Sequence, residues 1–172
     1  MAKLDIIIAP DPVLKRTAKR VETVDDRIRT LMDDMLETMY EAPGIGLAAP
    51  QVGVLERVIV VDVTGKDEER QPYRLVNPEL VWTSDDTVAN EEGCLSLPEH
   101  YAEVTRPAEA RVRYLDETGQ SRELHATGLL ATCVQHEIDH LSGILFVDHV
   151  SALKRGMILR KLAKWKKAEA AA

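Results

Sequence analysis

Apolar residues recur at helical spacing in three parts of the chain, and each part predicts an α-helix. Residues 26–40 carry an apolar side chain every three or four positions, and Asp25 is placed to cap the first turn. Gly128 begins a second such stretch, and Gly143 has the position of a residue that ends it. Ser151 precedes a third stretch as its expected N-cap. The predicted apolar side of this terminal helix consists of Leu153, Met157, Leu159, Leu162 and Trp165.

Strand-forming residues dominate four shorter segments. Residues 57–63 are rich in Val and Ile, and residues 73–82 form a second run that Pro78 interrupts. Residues 110–116 and 121–127 alternate apolar and polar positions on either side of a turn, which predicts a β-hairpin. Helices and strands are therefore both expected in this chain.

The composition favours one domain, residues 1–172, that works in a reducing compartment. A chain of 172 residues can bury about two-thirds of its unfolded surface. Cys94 and Cys133 are too few to build a disulfide framework, and no run approaches the ~18 apolar residues of a membrane span. We therefore expect a cytoplasmic protein that does not enter a membrane. The net charge of −7 argues against the body of the protein binding DNA or another nucleic acid.

A His-Glu-x-x-His pattern in the second predicted helix indicates a metal site. His136 and His140 are four residues apart, so their side chains share one helix face and can reach the same ion. Glu137 lies about 100° round the helix from His136, close enough to contact a metal-bound water without ligating the ion. The pattern has only three fixed positions, and a polar helix face that carries two histidines by chance is the alternative.

A third ligand is expected, because two histidines alone make an incomplete site. Cys94 follows a glycine in a dense segment, and Cys133 lies on the same helix face as the histidines. Cys133 and His140 are separated by roughly 10.5 Å of helical rise, too far for one ion to bridge easily. We therefore predict that Cys94 ligates the metal and that Cys133 forms a wall of the site.

The segment from Gly44 to Gln51 is poor in large side chains. Small residues here would let another backbone approach closely, as a bound extended peptide requires. Taken alone, the segment fits a helix end followed by a plain loop better than a peptide-binding segment. Gln51 is then either a solvated loop residue or an amide N–H donor that points into a site.

Three segments of the chain, taken in order, match the three signature motifs of the peptide deformylases. They are Gly44–Gln51, Glu92–Ser96 and Gln135–His140, with the sequences GIGLAAPQ, EGCLS and QHEIDH. The chain resembles this family along nearly its whole length. The resemblance implies an α+β fold with antiparallel sheets around a central metal-binding helix, followed by a C-terminal helix. It also implies a hydrolase that removes the N-formyl group from the N-terminal methionine of newly made polypeptides and releases formate.

The resemblance assigns the reaction to residues of these motifs. Glu137 should exchange protons with the attacking water and the leaving amine, as a general acid/base. The side chain of Gln51 and the backbone N–H of Leu95 should stabilise the oxyanion of the intermediate. The implied metal ligands are Cys94, His136 and His140, with water at the fourth position.

The resemblance also implies how the substrate binds. The backbone from Gly44 to Gly46 would pair with the peptide as an added strand. The implied lining of the methionine pocket is Ile45, Leu129, Cys133 and His136.

The implied metal is Fe²⁺, which Zn²⁺ or Ni²⁺ often replaces. Asp139 and the charges of Glu92 and Arg106 are expected either to support the metal ligands or to lie at the surface.

The chain departs from the family pattern at a few positions. Tyr101 stands where many relatives carry arginine, which leaves open how residues beyond the first methionine are held. Asn90 and Thr132 stand where bacterial relatives often have aliphatic residues, which leaves the side-chain preference of the pocket open.

Two other functions compete with the family reading. A zinc endopeptidase would need a third histidine at the place of Phe146, or a downstream glutamate ligand that this chain lacks at a suitable distance. A structural metal module that binds a partner is the second alternative. Glu137 argues against it, because a closed structural site has no use for a base.

The C-terminal stretch is strongly basic in an otherwise acidic chain. Residues 151–172 contain seven Lys or Arg and one Glu, a net charge of +6, which leaves −13 on residues 1–150. A solvated helix that only offsets the acidic body would explain this charge. Because the resembled family acts on chains that emerge from the ribosome, we expect instead that this helix contacts ribosomal RNA.

Overall fold

The computed structural model describes residues 2–171, which form three α-helices and two antiparallel β-sheets. The expected α+β fold with a C-terminal helix is therefore confirmed. The helices are α1 Asp26–Glu41, α2 Gly128–Leu141 and α3 Ala152–Ala171. The strands are β1 Gly46–Ala48, β2 Val58–Val61, β3 Tyr73–Thr83, β4 Thr87–Cys94, β5 Leu97–Pro107, β6 Glu109–Leu115 and β7 Ser121–Thr127. Within residues 2–171, every helix is too short or too polar to cross a membrane.

The larger sheet carries the core on both of its faces. Its strand order is β1-β2-β3-β6-β7, with every neighbouring pair antiparallel. Side chains of β2 and β3 alternate between the two faces, so one set packs with α2 and the other with α1. The set on the α2 side is Ile59, Val61 and Leu75, and the set on the α1 side is Val58, Val60 and Val76.

Most of the predicted elements are confirmed. The side chain of Asp25 accepts a hydrogen bond from Ile28 N at 3.2 Å and so caps α1. The alternating segments form the β6–β7 hairpin. Helix α2 begins at Gly128, and Gly143 just beyond its end has φ +73°, the left-handed conformation that glycine adopts without strain.

The β4–β5 hairpin was not predicted. Half of the β4 residues are exposed and only Glu92 is buried, so the strand lacks the alternation of apolar and polar residues that identifies a half-buried strand. The two strands form a separate sheet and pair from Thr87 with Pro107 to Cys94 with Leu97. This hairpin carries Cys94 to the side of α2.

The predicted apolar side of α3 is partly wrong. Leu162 is buried, but its buried neighbour is Ile158, one turn earlier. Leu153, Met157 and Trp165 are exposed, with Leu153 at 81%. The helix therefore contacts the body along a narrow seam formed by Ile158, Leu162 and the partly buried Leu159.

Candidate active site

Helix α2 and strand β4 bring three potential metal ligands together. The Nε2 atoms of His136 and His140 lie 3.2 Å apart, because residues four apart share one helix face. Cys94, the last residue of β4, places its Sγ 3.4 Å from His140 Nε2. All three ligand atoms lie within 4.8 Å of one another.

The spacing and charge of this group fit a divalent cation. Donor atoms on a tetrahedral ion with bonds of about 2.0–2.3 Å lie roughly 3.3–3.6 Å apart. Burial disfavours a charge on His136, yet Glu137, Cys94 and Glu92 outweigh burial and hold its pKa well above the ordinary value. Burial and the neighbouring His136 lower the pKa of His140. The site therefore combines excess negative charge with the neutral imidazole of His140, and such an environment favours the binding of a cation.

The orientation of His136 is fixed by a buried ion pair. Its Nδ1 lies 3.0 Å from Glu92 Oε1, so Nδ1 carries a proton and Nε2 is the ring nitrogen that faces the other two ligand atoms. Arg106 holds the same carboxylate with two bonds of 2.6 and 2.9 Å. Burial favours the neutral acid, but the bonds from His136 and Arg106 prevail and lower the pKa of Glu92.

Glu137 has the position and protonation equilibrium of a general acid/base. Burial raises its pKa to about 7, against the opposing charges of His136 and Arg106. One carboxylate oxygen lies 3.9 Å from His136 Nε2, and the other is buried without a hydrogen-bond partner among the described residues. The carboxylate therefore has free hydrogen-bonding capacity beside the three ligand atoms.

The amide of Gln51 is held in one orientation. Gln51 lies in the short 3-10 helix Ala49–Val52 that follows β1. Its amide oxygen accepts a hydrogen bond from Ala48 N at 2.9 Å. The amide nitrogen consequently points to the site, 3.0 Å from Ser96 Oγ and 3.5 Å from Cys94 Sγ. Gln51 is 1% exposed, so its N–H groups are directed by the fold and not by solvent.

An open cavity of about 660 Å³ lies against these groups. Gly44, Ile45 and Gly46 form one wall, and β1 is an edge strand of the larger sheet. An extended peptide could therefore pair with the unoccupied edge of β1. The predicted site residues that line the cavity are Gly44, Ile45, Gly46, Gln51, Cys94, Leu95, His136 and Glu137.

Two predicted pocket residues are not in this lining. Cys133 lies behind β1, with its Sγ 3.6 Å from Ile45 O. Leu129 is 54% exposed and borders a separate depression with Asn90. Asn90 and Thr132 share a hydrogen bond of 3.3 Å.

One wall of the cavity was not predicted from the sequence. Ile6 and Ile8 line it, and the backbone of this N-terminal segment bonds to Gln51 and Ser96 at 2.7 and 2.8 Å. An isoleucine-rich run before Pro10 was the available signal. Tyr101, where the sequence departs from the family pattern, lies at the cavity and is 59% exposed.

Comparison with known proteins agrees with this geometry. A family model described as polypeptide deformylase matches residues 3–156. A peptide deformylase of Phenylobacterium zucineum is 56% identical over 168 residues, which cover 98% of this chain and 99% of that protein. One of Rhizobium meliloti is 56% identical over 159 residues, covering 92% and 91%.

Solved structures give the same answer. The crystal structure of peptide deformylase from Ehrlichia chaffeensis superimposes with a TM-score of 0.93 at 39% identity, covering 98% of this chain and 99% of that one. The same enzyme in complex with actinonin gives a TM-score of 0.91 at 42% identity, covering 95% and 98%. This chain therefore belongs to the polypeptide deformylase family, whose members are metal-dependent enzymes.

Proposed function

We propose that this protein removes the N-formyl group from the N-terminal methionine of newly made polypeptides in the cytoplasm and releases formate. The observation that carries the proposal is the convergence of Cys94, His136 and His140 beside Glu137, at the wall of a cavity that borders a free strand edge. A protein that only binds peptides would not need a buried carboxylate of raised pKa at this place.

Cys94, His136 and His140 would hold the metal, with Fe²⁺ as the proposed ion and Zn²⁺ or Ni²⁺ as substitutes. When bound, the ion supplies Lewis acidity and makes hydroxide available near neutral pH. His136 offers Nε2 because Glu92 accepts the proton of Nδ1. Three protein ligands leave a position open, as a catalytic site requires.

Glu137 moves the protons of the reaction. It accepts one proton from water as the water oxygen bonds to the formyl carbon, and it gives that proton to the amine nitrogen as the C–N bond breaks. A pKa of about 7 suits both steps, because the carboxyl can lose and regain its proton near neutral pH. The products are formate and a free N-terminal amine.

Gln51 and Leu95 stabilise the oxyanion that develops on the formyl oxygen. The amide nitrogen of Gln51 already points to the site, since Ala48 holds the amide oxygen. The backbone N–H of Leu95 follows Cys94 directly, and Leu95 lines the same cavity. Donors that are in place before reaction need no reorganisation when charge develops.

The peptide pairs with the backbone of Gly44, Ile45 and Gly46. At Gly46 a β-carbon would meet Glu137 Oε2 at 2.5 Å and Cys133 Sγ at 2.8 Å, so only glycine fits here without displacing one of them. Ile45 at the cavity wall supplies an apolar contact to the methionine side chain. Cys133, behind β1, and Leu129, beside the neighbouring depression, are the further residues proposed to contact it.

Helix α3 contacts the ribosome in this proposal. It is the basic part of an acidic protein, and most of its cations are exposed. Ribosomal RNA would attract such a surface and bring the cavity close to emerging chains.

One assay tests the reaction against its main alternative, a zinc endopeptidase. The metal-loaded protein is incubated with a formyl-methionyl tripeptide and with an unblocked peptide of ten residues. Formate release from the first substrate, with the second left intact, is the expected result. Cleavage of an internal peptide bond, with no formate released, would overturn the proposal.

A further inference from the structure

The buried surroundings of His136 continue through a chain of polar contacts to His149 at the surface. Glu92 binds His136 Nδ1 at 3.0 Å, and Arg106 holds the same carboxylate with two bonds. Arg106 also donates to Asp139 Oδ2 at 2.9 Å, and His149 Nε2 lies 2.8 Å from that same oxygen. We call this series the His149 relay: His149, Asp139, Arg106, Glu92 and His136.

The direction of every hydrogen bond in the relay follows from its chemistry. The carboxylates of Glu92 and Asp139 only accept, and the guanidinium of Arg106 only donates. His149 must therefore donate from Nε2, and His136 must donate from Nδ1. The relay thus specifies the tautomer in which His136 Nε2 faces Cys94 and His140.

The outer end of the relay is its weakest point. The side chains of Glu92 and Arg106 are 4% and 6% exposed, whereas that of Asp139 is 22% exposed. Asp139 Oδ2 is held by two donors from different parts of the fold, Arg106 of β5 and His149. Without His149, only Arg106 would restrain the carboxylate against rotation towards water. Arg106 would then lose a fixed partner on the side opposite Glu92.

The short segment that carries His149 also contacts His136 directly. Residues Phe146–His149 form a short 3-10 helix between α2 and α3. Phe146, 1% exposed, stacks on the His136 ring with centroids 6.3 Å apart and an interplanar angle of 24°. The first residue of the turn thus supports the face of the ring, and the last supports its Nδ1 through the relay.

We propose that His149 is a positioning residue for His136, which it orients through Asp139, Arg106 and Glu92. The proposal rests on the role of His136 as a metal ligand proposed above. A hydrogen-bond donor at position 149 holds Asp139 in place, and through Arg106 and Glu92 it keeps Nδ1 of His136 protonated and Nε2 directed at the ion. His149 itself does not contact substrate or metal.

The test compares His149→Ala, His149→Phe and His149→Gln in the zinc-loaded protein. Phenylalanine keeps a ring of similar size without a donor, and glutamine keeps a side-chain N–H. The control is His125→Ala, because His125 forms a similarly exposed pair with Glu109 at 2.7 Å, on β7 and outside the site. The first readout is the rate of zinc transfer to a chelator, and the second is the NMR signal of the His136 Nδ1 proton.

The Ala and Phe variants should release zinc about tenfold faster than the wild type, the lower end of what outer partners of metal ligands contribute. Their His136 Nδ1 proton should exchange faster with water, whereas His149→Gln and His125→Ala should resemble the wild type. Wild-type rates of zinc release and an unchanged His136 proton signal in the Ala and Phe variants would overturn the proposed role of His149 and leave the proposed metal site standing. Failure of the wild type to bind zinc at all would overturn the proposed metal site with it.

Discussion

Gly46 lies so close to Glu137 that a β-carbon at position 46 would be 2.5 Å from the carboxylate oxygen Oε2 and 2.8 Å from Cys133 Sγ. The first of these neighbours is the proposed general acid/base. The second is packed in the core with 5% exposure and has little room to shift. Glycine at this position therefore keeps both the edge strand and the carboxylate of Glu137 in place.

Gly46→Ala should reduce kcat/KM for formyl-methionyl peptides by about 10²-fold, because Glu137 or β1 must move by a large fraction of an ångström. Steady-state formate release measures the loss. Gly156→Ala is the matched control, since its added methyl meets only the flexible end of Arg160 at 3.0 Å. Equal activity of Gly46→Ala and the wild type would contradict the close approach.

Glu137→Gln should retain the metal and lose turnover by at least ~10²–10⁴-fold, the usual contribution of a positioned acid/base. Glutamine has nearly the same shape, but it cannot accept the proton of water. In contrast, alanine at Cys94, His136 or His140 should remove the metal as well. Metal content by elemental analysis, measured beside formate release, separates the two outcomes. Near-wild-type turnover of Glu137→Gln would disprove the assigned role.

The two cysteines should differ in their reaction with peroxide. Cys94 lines the cavity and, as a proposed metal ligand, would be a thiolate. Cys133 is buried, and burial, with the charge of Glu137, raises its pKa well above the ordinary value. With Fe²⁺ bound, peroxide should inactivate the enzyme and oxidise Cys94 first. Peptide mass spectrometry measures the order, and oxidation of Cys133 first with Cys94 intact would contradict it.

The sequence was sufficient for the parts of the site that lie on one regular element. His136 and His140 share a face of α2 because their spacing equals one helical turn, and the same geometry made Cys133 a poor third ligand. The positions of Cys94 and Gln51 depend on long-range packing, which local spacing does not encode. These residues could therefore be identified from sequence motifs, but the orientation of their side chains could not be predicted.

The missed elements show the same limit. Strand β4 has one buried residue and four exposed ones, so its pairing with β5 stabilises it more than its own pattern indicates. The wall formed by Ile6 and Ile8 arises from backbone bonds to segments more than 40 residues away. On α3, Ile158 and not Met157 faces the core.

Asp116 should make the free energy of unfolding depend on pH in the acidic range. Its carboxylate accepts bonds from Thr118 and Gln120 in the β6–β7 turn and from Arg122, and these bonds hold its pKa well below the ordinary value. A carboxylate with a lowered folded pKa adds stability above its unfolded pKa of about 3.9. That stability is lost as the pH falls through the folded pKa.

Asp116→Asn should therefore lower the free energy of unfolding at pH 7 by roughly 1–2 kcal/mol. The difference from the wild type should shrink as the pH is lowered below about 4, where the wild-type carboxyl also begins to be protonated in the unfolded state. Urea unfolding at several pH values measures the effect. Asp67→Asn is the control, because Asp67 is exposed. A pH-independent difference would contradict the assigned cause.

Helix α3 offers a basic surface on which five cations form no ion pair or side-chain hydrogen bond within residues 2–171. Two of its seven basic side chains are engaged with the body: Arg155 pairs with Asp148 at 2.7 Å, and Lys166 donates to Ile8 O at 2.9 Å. The others are exposed and free to meet a phosphate backbone. They are Lys154, Arg160, Lys161, Lys164 and Lys167.

Reversing four of these charges should abolish ribosome binding and spare catalysis. The variant replaces Lys154, Lys161, Lys164 and Lys167 by Glu and keeps the two engaged side chains. Wild-type affinity for ribosomes in a sedimentation assay should fall about 10²-fold between roughly 50 and 200 mM salt, as expected when about four cations meet phosphates.

The control variant makes the same charge change on the body, at Arg16, Lys19, Arg20 and Lys66, and should bind ribosomes far better than the α3 variant. Both variants should hydrolyse a short formyl-peptide at the wild-type rate, because none of these side chains lines the cavity. Unchanged ribosome affinity of the α3 variant would exclude the helix as the docking surface.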